Sequence, residues 1–362
     1  MRVAFYIGRF NRGGAETLLL DIFSRKDTLP FDPVCIYRSE GTLSESFHET
    51  KVPLIRLPRN KSWLIYSLRL RRLLKKEKID IVHAQTSLNA IIAILCTFGT
   101  GIKVVNTFHG FSFSSASKWL RRFVFKGCGR LIFVSEYEKN HYLLRGEFGA
   151  KNKCAVVYNG VNFEKFQLQR KQKENDFVVE MGMVGSFGEG RNHYFICQFL
   201  DYLKKRGENF HFSFIGASRP SELPLYEKCV SYCKEHGLVE NVTFVGLSNN
   251  VPGLLKKMDL FIYATRHDSF GIAVIEAIAA GVPTIVNDWE VMKEITNQGE
   301  YASLFPTDNI TSLYELYHDF VIHRQSWIEK AYQSAIEVRR RYDIDRHIAC
   351  LEQEYELVMD SK

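Results

Sequence analysis

DLFIYATRHDSFGIAVIEAIAAGVPTIVND, residues 259 to 288, contains two short apolar segments separated by a longer apolar stretch of helical length. The first segment, 259–264, and the last, 282–287, are rich in β-branched and aromatic residues, which favour strands. Neither segment alternates between polar and apolar residues, and such continuous runs are typical of parallel strands buried on both faces. The stretch therefore predicts a strand, a helix and a second strand of one parallel sheet.

The same alternation of strand and helix extends over most of the chain and restarts after the polar stretch LQRKQKEND, residues 168 to 176. A chain of 362 residues also exceeds the usual size of a single core. We therefore predict two similar α/β domains, each a doubly wound parallel sheet, at 1–165 and 166–340, and a C-terminal helix at 341–362 that packs back on the N-terminal domain. The other predicted strands are 2–7, 33–37, 80–84, 103–108, 130–135, 155–159, 178–186, 210–216 and 241–246.

The composition is that of a water-soluble globular protein, with 46% hydrophobic residues and 25% charged residues. The longest apolar run, AIIAILCTF at 90–98, is too short to span a membrane, and the N-terminus shows no signal-peptide cleavage site. The eight cysteines lie mostly in apolar segments, which is typical of reduced thiols in the cytoplasm. Cys229 and Cys233 are one helical turn apart, but no second pair follows, so we favour helix packing over a metal site.

Three loops that follow predicted strands, or open a helix after one, have features of phosphate sites. GRFNRGGAE (8–16) contains Gly13 and Gly14, GSFGEGRN (185–192) contains three glycines and Arg191, and DSFG (268–271) opens the helix that carries Glu276. Backbone N–H groups at such positions, together with a helix N-terminus, bind anions. Neither glycine loop has the spacing of a dinucleotide-binding or P-loop motif, which excludes both assignments.

Glu276 is the single charged residue between Gly271 and Gly281. A helix that is apolar on every side is buried, and a buried carboxylate needs a hydrogen-bonding partner. We therefore expect Glu276 and the nearby Asp268 to bind a polar ligand.

These segments resemble the motifs of retaining GT-B glycosyltransferases of family 4. The resemblance covers residues 1 to about 305 and is most specific at the two acids of 259–288, which are separated by seven residues. VHAQTS, FVSEYEKN and YNGV also match successive family motifs in order. The resemblance implies a GT-B fold, with two Rossmann-like domains facing a cleft, and transfer of a sugar from a nucleotide-diphosphate sugar, with a UDP-sugar favoured over a GDP-sugar.

The resemblance also implies roles for individual residues. Glu276 would accept hydrogen bonds from the ribose, Asp268 would contact the transferred sugar, and Arg191 would bind the diphosphate. His109, in the sequence FHGF, would lie near the sugar, and His109, Asp268 and Arg191 form the implied catalytic set. The other implied donor-binding residues are Gly13, Gly14, Gly185, Ser186, Leu247, Ser269, Phe270, Gly271 and Ile272.

Two positions depart from the family pattern. Asp268 replaces the usual glutamate, and Gly188 replaces a second basic residue that usually precedes Arg191 by three positions. Arg9, Arg12 and Arg266 are candidates to supply the missing charge. The single D-x-D sequence, 343–345, starts the predicted C-terminal helix, so we expect neither a metal nor another cofactor.

Two basic segments suggest a membrane surface as a partner. On a helical wheel of 61–78, Trp63, Tyr66, Leu70, Leu73 and Leu74 face the core, and Arg71, Arg72, Lys75 and Lys76 lie opposite, with Leu64, Ile65 and Leu68 among them. In 117–126 we expect Lys118, Arg121, Arg122 and Lys126 to surround Phe125. Apolar residues among cations favour an anionic bilayer over a solvated face, and no nucleic-acid recognition module accompanies the charge.

The sequence therefore predicts a metal-independent, retaining hexosyl- or N-acetylhexosaminyltransferase at the inner face of the plasma membrane. Its acceptor would be a glycan, lipid-linked by preference, in bacterial surface polysaccharide biosynthesis. Two alternatives stay open: a transferase with a soluble acceptor, and a catalytically weak subunit that binds nucleotide sugars.

Overall fold

The computed structural model describes residues 1–59, 62–144, 151–168, 178–218 and 220–360. The chain divides into two compact units. Unit 1 comprises Met1–Asn162 with Ile344–Lys362, and unit 2 comprises Phe163–Asp343. The polar stretch 168–176 lies outside the described residues, apart from Leu168.

Unit 1 contains a parallel sheet that, within the described residues, has seven strands in the order β3-β2-β1-β4-β5-β6-β7. Helices alternate with these strands along the chain. The elements are β1 (Arg2–Arg9), α1 (Gly14–Ser24), β2 (Asp32–Ser39), α2 (Ser44–His48), β3 (Leu54–Arg56), α3 (Trp63–Lys76), β4 (Ile81–Ala84), α4 (Ser87–Thr97), β5 (Lys103–Phe108), α5 (Lys118–Gly127), β6 (Arg130–Phe133), α6 (Glu136–Leu144) and β7 (Cys154–Val156).

Unit 2 contains a second parallel sheet, with six strands in the described residues and the order β10-β9-β8-β11-β12-β13. The chain then returns to unit 1, to which the last described helix, α14 (Ile344–Asp360), belongs. The elements are β8 (Val179–Val184), α7 (His193–Lys205), β9 (Phe210–Ile215), α8 (Leu223–Glu235), β10 (Val242–Gly246), α9 (Val251–Lys257), β11 (Leu260–Tyr263), α10 (Ile272–Ala279), β12 (Thr284–Asn287), α11 (Glu290–Ile295), β13 (Ser303–Phe305), α12 (Ile310–Ile322), α13 (Arg324–Arg341) and α14 (Ile344–Asp360).

Both faces of the unit 1 sheet are covered by helices. One face packs against Tyr66 and Leu70 of α3, residues of α4, and Phe125 of α5. The opposite face packs against α1 and against Leu351 and Tyr355 of α14. Burial on both faces explains why the strands are apolar without alternation, and the predicted doubly wound α/β architecture is confirmed.

Helix α14 is held to unit 1 by polar contacts as well as by its apolar face. The imidazole of His83 lies between Tyr355 Oη, 2.6 Å from Nδ1, and Thr107 Oγ1, 2.6 Å from Nε2. His347 Nδ1 donates to the carbonyl of Tyr158 at 2.7 Å. Burial lowers the pKa of His83 to about 3, so the ring is neutral at pH 7. His83, whose role the sequence leaves open, is thus part of the contact with α14.

Candidate active site

The carboxyl ends of β8, β9 and β10 carry three glycine loops that lie side by side. Gly185 N donates to Ile215 O at 2.8 Å, and Gly216 N donates to Gly246 O at 2.9 Å. Gly216 has φ +154°, and a Cβ there would lie 2.1 Å from the carbonyl oxygen of Gly185. A side chain at Gly216 would separate the loops, so glycine is required for this close approach.

The loop 185–192 is hydrogen-bonded to the loop that follows β11. Arg266 N and His267 N both donate to Gly190 O, at 2.8 and 3.1 Å, and Asn192 N donates to Ala264 O at 2.9 Å. This pairing of two loops places Arg191 beside Asp268, although the two residues are distant in sequence. Arg191, predicted to bind the diphosphate, and Asp268, predicted to contact the sugar, therefore lie together in unit 2.

Arg191 is fixed by three side chains. Its Nε donates to Tyr263 Oη at 3.0 Å, its Nη1 donates to Ser186 Oγ at 3.2 Å, and its Nη2 lies 4.0 Å from Asp268 Oδ2. Tyr263 Oη in turn donates to Asp268 Oδ2 at 2.7 Å. We call Ser186, Arg191, Tyr263 and Asp268 the Arg191 cluster. Sequence reasoning missed Tyr263, because a tyrosine at the end of an apolar strand looks like core.

Asp268 also orders the start of α10. Its Oδ1 accepts hydrogen bonds from Ser269 N at 2.9 Å and Phe270 N at 3.4 Å. Gly271 follows with φ +92° as the N-cap of α10, a conformation that favours glycine. The D-S-F-G sequence is thus a turn that delivers the helix N-terminus next to the Arg191 cluster. In this arrangement the N–H groups of Ser269 and Phe270 already bond to Asp268.

Glu276 lies on α10, but its environment differs from the expectation. Val274 and Ile275 are buried, whereas Ile272 and Glu276 are half-buried. The expected burial of Glu276 is therefore wrong. Residues four apart lie on the same side of a helix, and the side with Ile272 and Glu276 does not face the core. Leu247, expected at the nucleotide base, is exposed and follows Gly246, whose φ is +73°.

Gly188, at the position of the missing basic residue, faces a carboxylate. A Cβ at Gly188 would lie 2.9 Å from Oε1 of Glu222, which ends a 3₁₀ turn at Pro220–Glu222. Glu222 Oε2 is buried and has no hydrogen-bond partner among the described residues. Arg266, a candidate to supply the missing charge, forms an ion pair with Asp308 at 2.7 Å. The carboxylate of Glu222 therefore lies beside the position where the resemblance predicts a basic residue.

In unit 1, His109 follows β5 and is hydrogen-bonded to Gln85. The distance from His109 Nε2 to Gln85 Oε1 is 3.0 Å, and because a carboxamide oxygen can only accept, Nε2 carries the proton. Burial, with a smaller contribution from His347, lowers the pKa of His109 to about 4. His109 is therefore neutral at pH 7. Gln85, in the segment VHAQTS, was not singled out by sequence analysis.

Gly13 and Gly14 begin α1 directly after β1. Gly13 is the N-cap, with φ −165°, and a Cβ there would lie 2.6 Å from Glu16 Oε2. Its extended backbone is open to any residue, so the constraint on Gly13 is the nearby carboxylate. Nearby, Arg9 Nε donates to Ser39 Oγ at 3.0 Å, and the backbone N–H of Arg12 donates to Thr42 Oγ1 at 2.9 Å.

Two family models match the chain and together cover most of its length. The model for glycosyltransferase family 4 matches residues 12–165, and the model for glycosyl transferases group 1 matches residues 162–334. This chain is a family 4 glycosyltransferase. The fold and family that the sequence motifs suggested are therefore confirmed.

Individual relatives agree with this membership. The glycosyltransferase is 28% identical over 304 residues, 76% of each chain, to the UDP-Gal:alpha-D-GlcNAc-diphosphoundecaprenol alpha-1,3-galactosyltransferase of Escherichia coli. It is 24% identical over 289 residues, 76% of its own length and 78% of the relative's, to the capsular polysaccharide biosynthesis glycosyltransferase CapH of Staphylococcus aureus. The crystal structure of Anabaena HepE in complex with UDP-glucose superposes with a TM-score of 0.84, covering 98% of this chain and 99% of that chain at 16% identity.

The glycosyltransferase also carries an exposed apolar surface on unit 1, formed by neighbouring helices α3, α4 and α5. Arg71 Nη1 of α3 donates to Cys96 O and Phe98 O, at the end of α4, at 3.0 and 2.6 Å. Ile94 of α4 lies against Gly127 of α5. We call the exposed residues of these helices the helix surface. Its apolar members are Trp63, Leu64, Ile65, Leu68, Leu88, Leu95 and Trp119, and its cations include Arg72, Lys75, Lys76, Lys118, Arg122 and Lys126.

Three expectations for this surface are wrong. Trp63 is 40% exposed rather than in the core, because it lies at the first turn of α3 beside Arg59, whose guanidinium is 4.5 Å from the ring. Arg71 is bound to backbone carbonyls instead of facing outward. On α5, Phe125 is fully buried and Trp119 is 69% exposed, so the tryptophan and not the phenylalanine lies among the cations.

Helix α4, whose apolar run the sequence analysis considered only as a membrane span, contributes uncharged residues to the helix surface. Its sequence SLNAIIAILCT contains no charged residue, yet Leu88 and Leu95, two turns apart, are exposed. None of the described helices is both long and apolar enough to cross a bilayer. Lys61, part of the predicted basic segment, lies outside the described residues.

The described residues include no group of three or more His, Cys, Asp or Glu side chains arranged to hold a metal ion. Cys229 and Cys233 are buried on α8. In the Arg191 cluster the positive charge is that of Arg191. The buried imidazole of His193 stacks on the ring of Phe187, with the ring centroids 4.0 Å apart. Burial, with a smaller effect of Arg191, lowers the pKa of His193 to about 3.

Proposed function

We propose that this glycosyltransferase moves a sugar, with retention of anomeric configuration, from a UDP-sugar to a glycan acceptor. The Arg191 cluster carries the proposal. It is a guanidinium held at the carboxyl edge of a parallel sheet, next to glycine loops and to the start of α10. Breaking the bond between the sugar and the diphosphate leaves negative charge on the diphosphate, and fixed cations and N–H groups stabilise that charge in the transition state.

In the proposed reaction an acceptor hydroxyl oxygen attacks the anomeric carbon from the face that the diphosphate leaves. The carbon–oxygen bond to the diphosphate breaks, its electron pair stays on the diphosphate oxygen, and the hydroxyl proton passes to that oxygen. Arg191 and the glycine loop of 185–192 bind the departing diphosphate. Asp268 contacts the sugar, Glu276 accepts hydrogen bonds from the ribose, and Leu247 lines the base. From unit 1 we assign His109, Gly13 and Gly14 to the same reaction by resemblance.

The choice of UDP rests on two similar proteins. The E. coli relative uses UDP-Gal according to its name, and Anabaena HepE was crystallised with UDP-glucose. The E. coli relative also acts on a diphosphoundecaprenol-linked sugar. For this chain we propose a lipid-linked glycan acceptor, a role in bacterial surface polysaccharide biosynthesis, and transfer of a hexose or N-acetylhexosamine without a metal.

The helix surface supports a place at the inner face of the plasma membrane. Exposed leucines and tryptophans flanked by cations suit shallow insertion into an anionic bilayer, with the charges at the headgroups. A soluble acceptor would require no such surface.

Nucleotide binding to the purified protein tests the proposal directly. Glu276→Ala should weaken UDP binding by about 10- to 100-fold, because a carboxylate that accepts hydrogen bonds from a ribose diol contributes about 1.5 to 3 kcal/mol. Isothermal titration calorimetry with UDP and GDP measures this change. Glu290→Ala is the matched control, since Glu290 is an exposed glutamate of unit 2 that pairs with Lys293 at 3.2 Å.

Equal UDP affinity in the Glu276→Ala and parent proteins would remove Glu276 from the donor site. Binding of neither nucleotide by the parent would overturn the proposed function.

A second function, a catalytically weak subunit that binds nucleotide sugars, is favoured by one observation. Glu222 places a carboxylate beside Gly188, where the resemblance predicts a cation. Tight UDP-sugar binding without transfer or donor hydrolysis would support this second function over the first.

A further inference from the structure

Tyr263 occupies an unusual position for a core tyrosine. It is fully buried at the carboxyl end of β11, yet its hydroxyl contacts two charged side chains. It accepts a hydrogen bond from Arg191 Nε at 3.0 Å and donates one to Asp268 Oδ2 at 2.7 Å. Both partners belong to the donor site in the proposed function, on which the following inference rests.

We propose that Tyr263 is a positioning residue of the donor site, whose hydroxyl holds the Arg191 guanidinium and the shortened acid Asp268 in one fixed arrangement. Arg191 Nη2 and Asp268 Oδ2 are 4.0 Å apart, which is beyond hydrogen-bonding distance. The tyrosine hydroxyl closes that gap with two hydrogen bonds of ordinary length. Tyr263 touches neither the sugar nor the diphosphate in this assignment and acts through its two neighbours.

The chemistry of the hydroxyl fits this role. Burial raises the pKa of the Tyr263 phenol far above its ordinary value, so the group keeps its proton and donates to the Asp268 carboxylate. The same oxygen accepts from Arg191, whose Nη1 is held separately by Ser186. With two of its three nitrogens bonded to side chains, the guanidinium has a fixed plane. A fixed cation stabilises the leaving diphosphate without reorganising during the reaction.

The length of Asp268 explains why a bridging hydroxyl is needed. A glutamate at this position would extend its carboxylate by one carbon–carbon bond, about 1.5 Å. Directed along the line to Arg191 Nη2, such an extension would shorten the 4.0 Å separation to direct hydrogen-bonding distance. In this proposal Tyr263 supplies the link between Asp268 and Arg191 that a longer acid could make directly.

Tyr342 provides a matched comparison within unit 2. It is also a buried tyrosine, but its hydroxyl donates to a backbone carbonyl, that of Ile295, at 3.2 Å. Removing either hydroxyl deletes the same atom from a buried environment. A purely structural role for Tyr263 therefore predicts similar consequences for the two Tyr→Phe substitutions, whereas a positioning role predicts different ones.

The test compares Tyr263→Phe, Tyr342→Phe and the parent in UDP affinity, thermal stability, and kcat and KM for UDP release. The donor is whichever of UDP-glucose, UDP-galactose and their N-acetyl forms the parent hydrolyses fastest. We expect Tyr263→Phe to lower kcat about 10- to 100-fold while KM changes less than about threefold, since a mobile guanidinium loses transition-state stabilisation. Tyr342→Phe should keep the parent kcat even if it lowers the melting temperature.

Two double variants sharpen the test. Adding Tyr263→Phe to Arg191→Ala should cause little further loss, because the hydroxyl acts through the guanidinium that is already missing. In the Tyr263→Phe protein, Asp268→Glu should recover at least part of the lost kcat, since the longer acid reaches Arg191 directly.

A kcat of Tyr263→Phe within twofold of the parent, an equal kcat loss in Tyr342→Phe, or full additivity with Arg191→Ala would each overturn the positioning role. These outcomes leave UDP binding by the parent intact and so spare the proposed function. Absence of UDP binding by the parent would overturn the proposed function, and the role of Tyr263 with it.

Discussion

The Arg191 cluster of unit 2 and the helix surface of unit 1 are built in opposite ways. In the cluster, polar side chains are connected by hydrogen bonds of 2.7 to 3.2 Å, so the position of each side chain depends on its hydrogen-bond partners. On the helix surface, apolar side chains such as Leu64, 71% exposed, project from helices whose opposite sides form the core. A single substitution should therefore disrupt the cluster, whereas the helix surface should tolerate single changes and fail only when several are combined.

The largest effect should come from Arg191→Ala, which removes the cation of the cluster. Loss of one preorganised group at a developing charge typically costs about 100- to 1,000-fold in kcat, and we expect a loss of this order in sugar transfer or UDP release. Arg266→Ala is the control, because Arg266 pairs with Asp308 at 2.7 Å on the surface and should have little effect.

Comparable losses of kcat in Arg191→Ala and Arg266→Ala would contradict a specific role of Arg191 in stabilising the departing diphosphate. Treatment of the parent with EDTA should leave its rate unchanged; abolition by EDTA and recovery with Mg²⁺ would show that a metal supplies the charge instead.

A combined change of Arg72, Lys75 and Lys76 to Glu should weaken binding to anionic vesicles by about 100-fold, since each cation near the surface contributes about 1 kcal/mol. Arg71 is left out because it bonds to backbone carbonyls. Sedimentation with vesicles containing phosphatidylglycerol, at low and at physiological salt, measures the effect. UDP affinity should stay the same.

The matched control changes Lys234, Lys256 and Lys257, which are exposed cations of unit 2, to Glu. If both triple variants lose vesicle binding equally, net charge and not the helix surface directs the protein to lipid. If the parent does not bind vesicles, the soluble-acceptor alternative becomes the better explanation.

Acid pH should loosen α14 from unit 1. Burial lowers the pKa of His83 to about 3 and that of His347 to about 4, below the ordinary value of about 6.5. At pH values between the folded-state pKa and about 6.5, the unfolded chain binds protons that the folded chain does not. The two histidines therefore leave the free energy of unfolding unchanged above about pH 6.5 and lower it as pH decreases further. At pH 5 the loss is about 2 kcal/mol for each histidine, or about 30-fold in the unfolding equilibrium.

Hydrogen exchange of the α14 amides at pH 7 and pH 5, corrected for intrinsic exchange rates, measures this effect. The double variant His83→Gln with His347→Gln should show a flatter pH dependence. An unchanged pH dependence in that variant would assign the acid sensitivity to other groups.

The smallest effect should come from Gly188→Lys, and it is a gain. Gly188 does not have a positive φ, so its backbone accepts a side chain, and the new ammonium would lie beside Glu222. We expect UDP affinity to rise about 3- to 10-fold, because a cation near the diphosphate adds a charge-assisted contact and offsets the carboxylate. Gly188→Gln is the uncharged control; equal affinities in the two variants would place position 188 away from the diphosphate.

The sequence predicted the parallel sheets well because strands buried on both faces carry an unbroken apolar signal. It missed β3 and β13, whose sequences LIR and SLF are too short to give such a signal, whereas the edge strand β7 overlaps the longer apolar run AVVYN. It identified the loop of Arg191 and the turn at Asp268, where glycines and charges stand out. It missed Tyr263 and Gln85, because their partners are set by contacts between strands and loops that no local pattern encodes. On α5 the helical period was clear, but which side faces the sheet depends on packing against β5 and β6.

Helix α14 makes unit 1 discontinuous in the sequence, and this has a consequence for synthesis on the ribosome. All of unit 2, Phe163–Asp343, is translated before the helix that completes unit 1. In the nascent chain, the sheet face with Phe5, Ile81 and Val105 therefore stays uncovered by α14 until unit 2 has been translated. During that interval unit 2 can fold as a continuous segment, whereas unit 1 exposes an apolar face that favours chaperone binding. A chain truncated after Asp343 should thus have a folded second unit and an incomplete first unit.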